Sequence, residues 1–202
     1  LMKKLISAML LCAPLSALAA DATVDLTFKG TLTKPTCTAS FVGTNGKDIA
    51  FGAINASDIM GKAEGSIITA AGTKDVALQF TGCAGGTTNL NISFEGTDIS
   101  GYGFYGHAPS FLDSASVKSG LGFALFKDKA KTAVDDAIEF KSSTVETVAL
   151  SSLAKTGETY KWPLYAKMVV TKNSLLKDSA AVNANSAGKD LTAKAFVNIA
   201  YE

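Results

Sequence analysis

The chain has 202 residues, and its 19 basic residues, all lysine, nearly balance 18 acidic ones, for a formal net charge of +1. A near-neutral chain without arginine argues against nucleic-acid binding, because nucleic-acid-binding proteins normally carry a basic patch and use arginine to contact phosphate. After removal of the N-terminal segment described next, the length fits a single domain with one core.

The N-terminus has the pattern of an export signal. The first residues, LMKKLISAMLLCAPLSALAA, combine two lysines, a short apolar run and an end rich in small residues. This order predicts a secretory signal peptide over residues 1–19, with cleavage after Ala19 or Ala20. Cleavage removes Cys12 and leaves Cys37 and Cys83, and an even pair of cysteines in an exported chain predicts a disulfide.

Short segments in which apolar and polar residues alternate recur along the rest of the chain, between clusters of Gly, Asn, Asp, Ser and Thr. This pattern predicts an all-β sandwich. Residues 56–63 are compatible with one short helical turn, and Pro163 predicts an edge position or a bulge, since proline cannot donate to a strand ladder. The predicted strands cover residues 23–32, 37–41, 47–54, 74–83, 89–96, 121–128, 146–153, 160–170 and 194–202.

The segment 101–111, GYGFYGHAPSF, is unusually rich in glycine and aromatic residues. Its rings either cover the end of the core beneath a loop, which is the ordinary interpretation, or stack on a sugar or another flat ligand at the surface. The candidate ligand-binding residues are Tyr102, Phe104, Tyr105 and His107.

Motifs for catalysis and metal binding are missing from the sequence. His107 is the only histidine, so a zinc site would lack ligands and a catalytic triad would depend on this one residue. The adjacent acids Asp135 and Asp136 would point to opposite faces of a strand. The sequence therefore predicts that the protein is not an enzyme and has no cofactor, metal site or small-molecule substrate.

Both ends of the mature chain carry a strand pattern. Near the N-terminus one face consists of Val24, Leu26, Phe28, Gly30 and Leu32. In the last strand one face consists of Ala195, Val197, Ile199 and Tyr201. An unpaired edge strand invites association with another chain, so the N-terminal segment is either the ordinary first strand of the sandwich or a strand donated to another molecule.

These features, in this order, give the chain a resemblance to a known family. They are the signal peptide, an alternating extension with an in-register glycine (FKG, 28–30), Cys37, the strand LQFTGC (78–83) that ends in Cys83, and FVNIAYE (196–202) with tyrosine next to last. The chain resembles the type 1-like fimbrial subunits, or pilins, of the chaperone–usher pathway of Gram-negative bacteria.

The resemblance implies an incomplete immunoglobulin-like β-sandwich that lacks its final strand and has one disulfide. It implies a donor-strand extension over residues 20–32 and a pilin domain over residues 33–202. The donor face would be the N-terminal set named above, and the face from Ala195 to Tyr201 would line the groove edge and bind the chaperone.

Expected partners are a periplasmic chaperone, an outer-membrane usher and neighbouring pilus subunits, and the expected location is an adhesive fimbria on the cell surface, reached through the periplasm. With no room for a receptor-binding domain, the chain is expected to be a shaft or adaptor subunit. Two alternatives remain: an exported monomeric β-sandwich that binds glycans through residues 101–111, and a periplasmic enzyme.

Overall fold

The computed structural model describes residues 36–96, 112–113, 119–185 and 187–202. Two short helices lie within these residues, α1 (Ala56–Ile59) and α2 (Ser179–Asn185), together with 3-10 turns at Thr69–Ala71, Val134–Asp136, Leu150–Ser152 and Asn173–Leu175. The described strands are β1 (Thr38–Val42), β2 (Lys74–Thr81), β3 (Asn89–Gly96), β4 (Leu112–Asp113), β5 (Leu121–Phe126), β6 (Glu146–Ala149), β7 (Ala154–Thr156), β8 (Thr159–Val170) and β9 (Ala195–Tyr201).

The strands form two sheets. The larger has the order β1-β2-β8-β5-β4, with β7 also paired to β8, and the smaller has the order β6-β3-β9. Each of these ladders is antiparallel. The long strand β8 is therefore the centre of the larger sheet, while β1 and β9 lie at sheet edges.

The main core lies between the two sheets. Alternate residues of β2, Val76, Leu78 and Phe80, are buried and pack with residues of β3 such as Ile92 and Phe94. Because the side chains that meet here come from both sheets, the arrangement is a β-sandwich. The all-β fold predicted from strand periodicity is confirmed.

A second core lies against one end of the larger sheet. It joins Ile59 of α1 and Val182 of α2 to Met168 and Val170 of β8. The amide of Gly61 donates to the carbonyl of Leu176 over 2.8 Å, which connects the two helical segments. The short helix predicted within residues 56–63 is present, but α2 was not predicted, because seven residues give too few turns for a clear helical period.

The expected disulfide joins Cys37 and Cys83, 46 residues apart in sequence. It connects the residue before β1 to the segment that follows β2, alongside a 3.0 Å hydrogen bond from the amide of Ala84 to the carbonyl of Thr36. The edge strand β1 is thereby fixed covalently to its only described neighbour in the sheet.

The predicted strand over residues 47–54 is wrong. The described chain there makes only an isolated bridge, between Asn45 and Asp48, and Gly52 has a φ of +77°, which interrupts an extended backbone. The alternating apolar residues of this segment pack on the cores instead of forming a strand. Ile49 packs on the main core, and Phe51 packs on both cores. This segment, residues 47–54, is a loop that covers the sandwich.

Two settings were expected for Pro163, an edge position or a bulge; the edge position is wrong, since β8 is the central strand. Pro163 is opposite Ala77 of β2 on one flank. On the other flank β7 pairs with residues 159–161 and β5 with residues 165–170. Pro163 thus falls in the interval between two ladders, where a missing amide hydrogen is tolerated.

A buried lysine fixes the loop after β5 to the larger sheet. Lys167 of β8 is 2% exposed, and its ammonium donates to the carbonyls of Lys129, over 2.9 Å, and Lys131. It also lies 4.8 Å from the centre of the Phe126 ring. Desolvation lowers the pKa of Lys167, and the charge of Asp128 partly opposes that shift.

Within the described part of the chain, no helix is both long and apolar enough to cross a lipid bilayer.

Candidate strand-binding groove

An apolar cavity of about 600 Å³ opens between the two sheets, beside the first half of β9. Its floor is formed by buried residues of the main core, including Phe94 of β3, Leu125 of β5 and Phe140. Its walls are formed by the 47–54 loop on one side and by β9 with the four residues before it on the other. We call this cavity and the adjoining flank of β9 the groove.

Both strands beside the groove have an unpaired flank. Among the described residues, β9 forms a ladder with β3 alone and β1 forms a ladder with β2 alone. The β3 ladder runs from Leu90 opposite Tyr201 to Gly96 opposite Ala195. The other flank of β9 therefore presents backbone donors and acceptors toward the groove, where an additional strand can pair with them.

The side chains of β9 alternate strictly between the two faces. Val197, Ile199 and Tyr201 are half-buried and pack on the main core, whereas Phe196 and Asn198 face outward and are exposed. The groove-facing side chains become larger along the strand, from Ala195 to Val197, Ile199 and Tyr201. The space is consequently widest where β9 begins, and β9 itself fills it toward Tyr201.

One end of the groove is closed by a hydrogen bond between its two flanking edges. The hydroxyl of Tyr201 donates to the carbonyl oxygen of Cys37 over 2.9 Å. Burial raises the pKa of Tyr201 above the usual value of tyrosine, so the hydroxyl keeps its proton and remains a donor at neutral pH. This contact joins the end of β9 to the residue before β1.

The outer face of β9 carries both an exposed aromatic ring and charged side chains. Phe196 is 55% exposed and lies opposite Glu95 of β3. Glu202, just beyond the strand, accepts a 2.7 Å hydrogen bond from the side-chain amide of Asn91. Lys194, just before the strand, is exposed at the rim of the cavity. A strand bound in the groove would lie next to these outward-facing groups as well as to the apolar interior.

Several site residues predicted from sequence come together here. Val197, Ile199 and Tyr201 share the groove-facing side of β9, and Ala195 lines the cavity. The expected donor face, Val24, Leu26, Phe28, Gly30 and Leu32, lies outside the described residues. So does the aromatic set Tyr102, Phe104, Tyr105 and His107. Their roles, and the glycan-binding alternative, remain predictions.

The floor and the wide end of the groove are formed by residues that were not predicted as part of a site. Phe41, Phe94, Phe123 and Phe140 line the cavity but look like ordinary core residues in sequence. A usable signal was present before β9, because Leu191 and Ala193 extend its alternation by two positions and also line the cavity. The alternation of β9 therefore begins before the strand itself, at positions whose side chains also line the cavity.

Comparison with known proteins identifies the family. A family model described as fimbrial protein matches residues 26–189, most of the chain, and the chain belongs to that family. The crystal structure of the CupB6 tip adhesin from Pseudomonas aeruginosa is similar, with 14% sequence identity and a TM-score of 0.45, over 72% of this chain and 33% of that chain. None of the curated proteins compared with the chain matches it.

Family membership confirms the resemblance inferred from sequence. The protein is a structural subunit of a fimbria, a surface appendage of a Gram-negative bacterium, and not an enzyme.

Proposed function

We propose that this fimbrial subunit polymerises by strand donation, in which residues 20–32 of one subunit occupy the groove of the next. The observation that carries the proposal is the apolar cavity alongside the unpaired flank of β9. A strand placed there satisfies the free backbone groups of β9 and inserts every second side chain between the sheets. The alternating face Val24, Leu26, Phe28, Gly30 and Leu32 has the required period of two.

The energetics of such a strand are favourable. Burying each large apolar side chain contributes roughly 1.5–3 kcal/mol before the entropy lost on ordering the strand. Four such residues of the donor face are available, Val24, Leu26, Phe28 and Leu32, and together they approach the stability of a whole small domain, about 5–15 kcal/mol. A subunit with an occupied groove is therefore expected to be far more stable than one with an empty groove.

The contact is directional and does not close. The extension of one subunit fits the groove of another, so each added copy presents a new groove or a new extension. Repetition of this heterologous contact builds a filament. This supports a repeated shaft subunit or an adaptor, and the mass fraction of the chain in fibres sheared from cells distinguishes the two.

An empty apolar groove with an unpaired edge is prone to aggregation. We propose that a periplasmic chaperone covers the flank formed by Ala195, Val197, Ile199 and Tyr201 until an outer-membrane usher exchanges it for the next extension. Apolar groove residues and free backbone groups suit a strand supplied by any of these partners.

The test is a substitution that places a large side chain of β9 in the groove. Ala195 lines the cavity, whereas Ala200 lies on the outer face of the same strand and is exposed. The full chain carrying Ala195→Trp is expected to be exported and processed but to form few fibres, because the indole occupies space that the donated strand requires. Ala200→Trp is the matched control, with the same substitution in the same strand, and should assemble normally.

The readouts are electron microscopy of cells and the mass of sheared fibres, normalised to the amount of processed subunit. Wild-type fibre yield from Ala195→Trp would contradict strand donation into this groove. If both tryptophan variants fail to assemble, Ala195→Gly, which enlarges the groove without blocking it, should still give fibres if the proposal is correct and should fail if β9 tolerates no change.

A further inference from the structure

We propose that the outward-facing residues of β9 set the register of the donated strand, with Lys29 of the incoming extension opposite Phe196 and Gly30 opposite Ala195. The inference rests on the proposed function and adds to it the pairing that selects one alignment among several. A slip of one residue would turn the apolar face of the extension away from the groove, but a slip of two residues keeps that face inward and leaves the alignment ambiguous. Charges on the outer face can remove that ambiguity.

The donated strand is expected to run antiparallel to β9, as neighbouring strands do in both sheets. Each ladder in the described residues is antiparallel, and antiparallel pairing is slightly more stable per residue than parallel pairing. In an antiparallel alignment the groove-facing positions of the extension must lie opposite those of β9. Registers that keep the apolar face inward therefore differ by steps of two residues.

Both neighbouring registers bring like charges together. Moving the extension two residues in one direction from the proposed alignment puts Lys29 opposite Lys194. Moving it two residues in the other direction puts Asp25 opposite Glu202. Like charges directly opposite each other destabilise a strand pair. The proposed alignment avoids both contacts, because Thr31 then lies opposite Lys194 and Asp25 opposite Ala200.

The proposed alignment also gives Lys29 a favourable environment. Phe196 is 55% exposed, and its ring is a surface on which the lysine side chain can lie, with its methylene groups packed and its ammonium near the ring face. Glu95 is opposite Phe196 on the far side, in β3. Strands lie about 4.8 Å apart, so a lysine extended across Phe196 ends close to the Glu95 carboxylate.

The groove-facing pairs are compatible with this alignment. Leu32 lies opposite Ala193, so a large side chain meets a small one where the cavity is wide. Phe28 lies opposite Val197, and Val24 lies opposite Tyr201, where β9 fills most of the space. Gly30 opposite Ala195 brings the two backbones together without crowding.

The test is disulfide cross-linking in fibres assembled from the full chain. Directly opposite residues in an antiparallel pair have Cα atoms about 4.5–5.5 Å apart, within the range that a disulfide spans. The variant with both Lys29→Cys and Phe196→Cys should form covalent multimers between subunits, located by mass spectrometry of the linked peptides. The variant pair Lys29→Cys with Lys194→Cys reports one of the two shifted antiparallel registers. The pair Asp25→Cys with Lys194→Cys reports a parallel alignment.

Fibres whose links form only in one of the other two pairs overturn the register but leave strand donation intact. Fibres without intermolecular links in any pair overturn the register as well, and strand donation is then judged by Ala195→Trp against Ala200→Trp.

The single charge reversal Lys194→Glu needs no new cysteine and keeps the inference testable if the cysteine variants do not assemble. In the proposed register its partner is Thr31, so the assembly rate should change less than about 1.5-fold. An increase of the assembly rate by roughly 1.5- to 5-fold would indicate that Lys29 lies opposite position 194. A decrease of similar size would indicate that Asp25 lies opposite position 194. Either change would overturn the proposed register.

Discussion

Tyr201 and Cys37 are 164 residues apart in sequence, yet the tyrosine hydroxyl donates a 2.9 Å hydrogen bond to the cysteine carbonyl. Through this contact the end of β9 is held against the segment that leads into β1. Cys37 is in turn bonded to Cys83. The two edges beside the groove are thus joined at one end, and the groove opens toward the start of β9.

Removal of the tyrosine hydroxyl is expected to weaken this junction. We predict that Tyr201→Phe lowers the free energy of unfolding by about 1 kcal/mol, the typical value for a hydrogen bond, and the melting temperature by about 2–4 °C. Tyr160→Phe is the control, because the described contact of that ring with the Lys155 ammonium, 5.0 Å from its centre, survives the change. Equal losses in both variants would contradict a specific role for the Tyr201 hydroxyl.

The same hydroxyl predicts a dependence of stability on alkaline pH. Burial raises the pKa of Tyr201 above 10.0, its ordinary value. Between the unfolded and folded pKa values the unfolded chain loses this proton first, so stability that is fully present below pH 10 decreases as the pH rises. Denaturant titrations from pH 8 upward should show a shallower decline for Tyr201→Phe than for the wild type. Parallel curves would show that Tyr201 does not contribute to the decline.

The disulfide is expected to be a major source of stability. For a cross-link between residues 46 positions apart, the chain-entropy model gives about 4 kcal/mol. The variant with Cys37→Ala and Cys83→Ala should lose stability of that order in urea unfolding. Addition of a reductant should destabilise the wild type but leave the double variant unchanged. A reductant effect of similar size on both proteins would contradict this assignment.

Lys167 is expected to stabilise the loop that follows β5. Lys167→Met keeps the length of the side chain but removes the charged donor to the Lys129 and Lys131 carbonyls. A loss of about 1.5–3 kcal/mol is expected, the range for hydrogen bonds to charged groups, with faster amide exchange over residues 127–132. Lys161→Met, at an exposed position of the same strand, should change neither quantity. If Lys167→Met left the free energy of unfolding unchanged, the buried charge would make no net contribution to stability.

Gly30 is expected to be essential for assembly. A glycine within a strand pattern usually indicates close approach of another backbone, so we predict that Gly30→Leu blocks polymerisation while leaving signal cleavage intact. Thr31→Leu adds a similar side chain to the opposite face of the extension and should permit assembly. Electron microscopy and N-terminal sequencing of the secreted subunit measure the two effects. Fibres of normal length from Gly30→Leu would contradict the donor-face assignment.

Strand periodicity predicted much of this fold. The strands β2, β3, β5, β8 and β9 were all expected. In β9 the half-buried and exposed residues alternate, whereas β5 and the second half of β8 are largely apolar runs that are buried on both faces. The same rule failed for residues 47–54, where Ile49 and Phe51 alternate as they do in a strand but belong to a loop that packs on both cores. Periodicity reports which side chains are buried, not whether the backbone is paired.

The groove could be predicted only in part. Its edge strand was found because Val197, Ile199 and Tyr201 alternate with exposed residues. Its floor was not, because Phe94 and Phe140 meet through tertiary contacts between residues far apart in sequence. No local pattern distinguishes a core phenylalanine beneath an open groove from one that is fully enclosed.

The link between Cys37 and Cys83 also determines how the subunit responds to mechanical load. When a chain is pulled from both sides of a disulfide, tension passes through the sulfur atoms and bypasses the residues between them. Residues 38–82, which include β1, the 47–54 loop and β2, are therefore shielded from a force applied at Thr36. Tension in a stretched fibre enters the rest of the domain at Cys83, so β1 is not peeled away from β2.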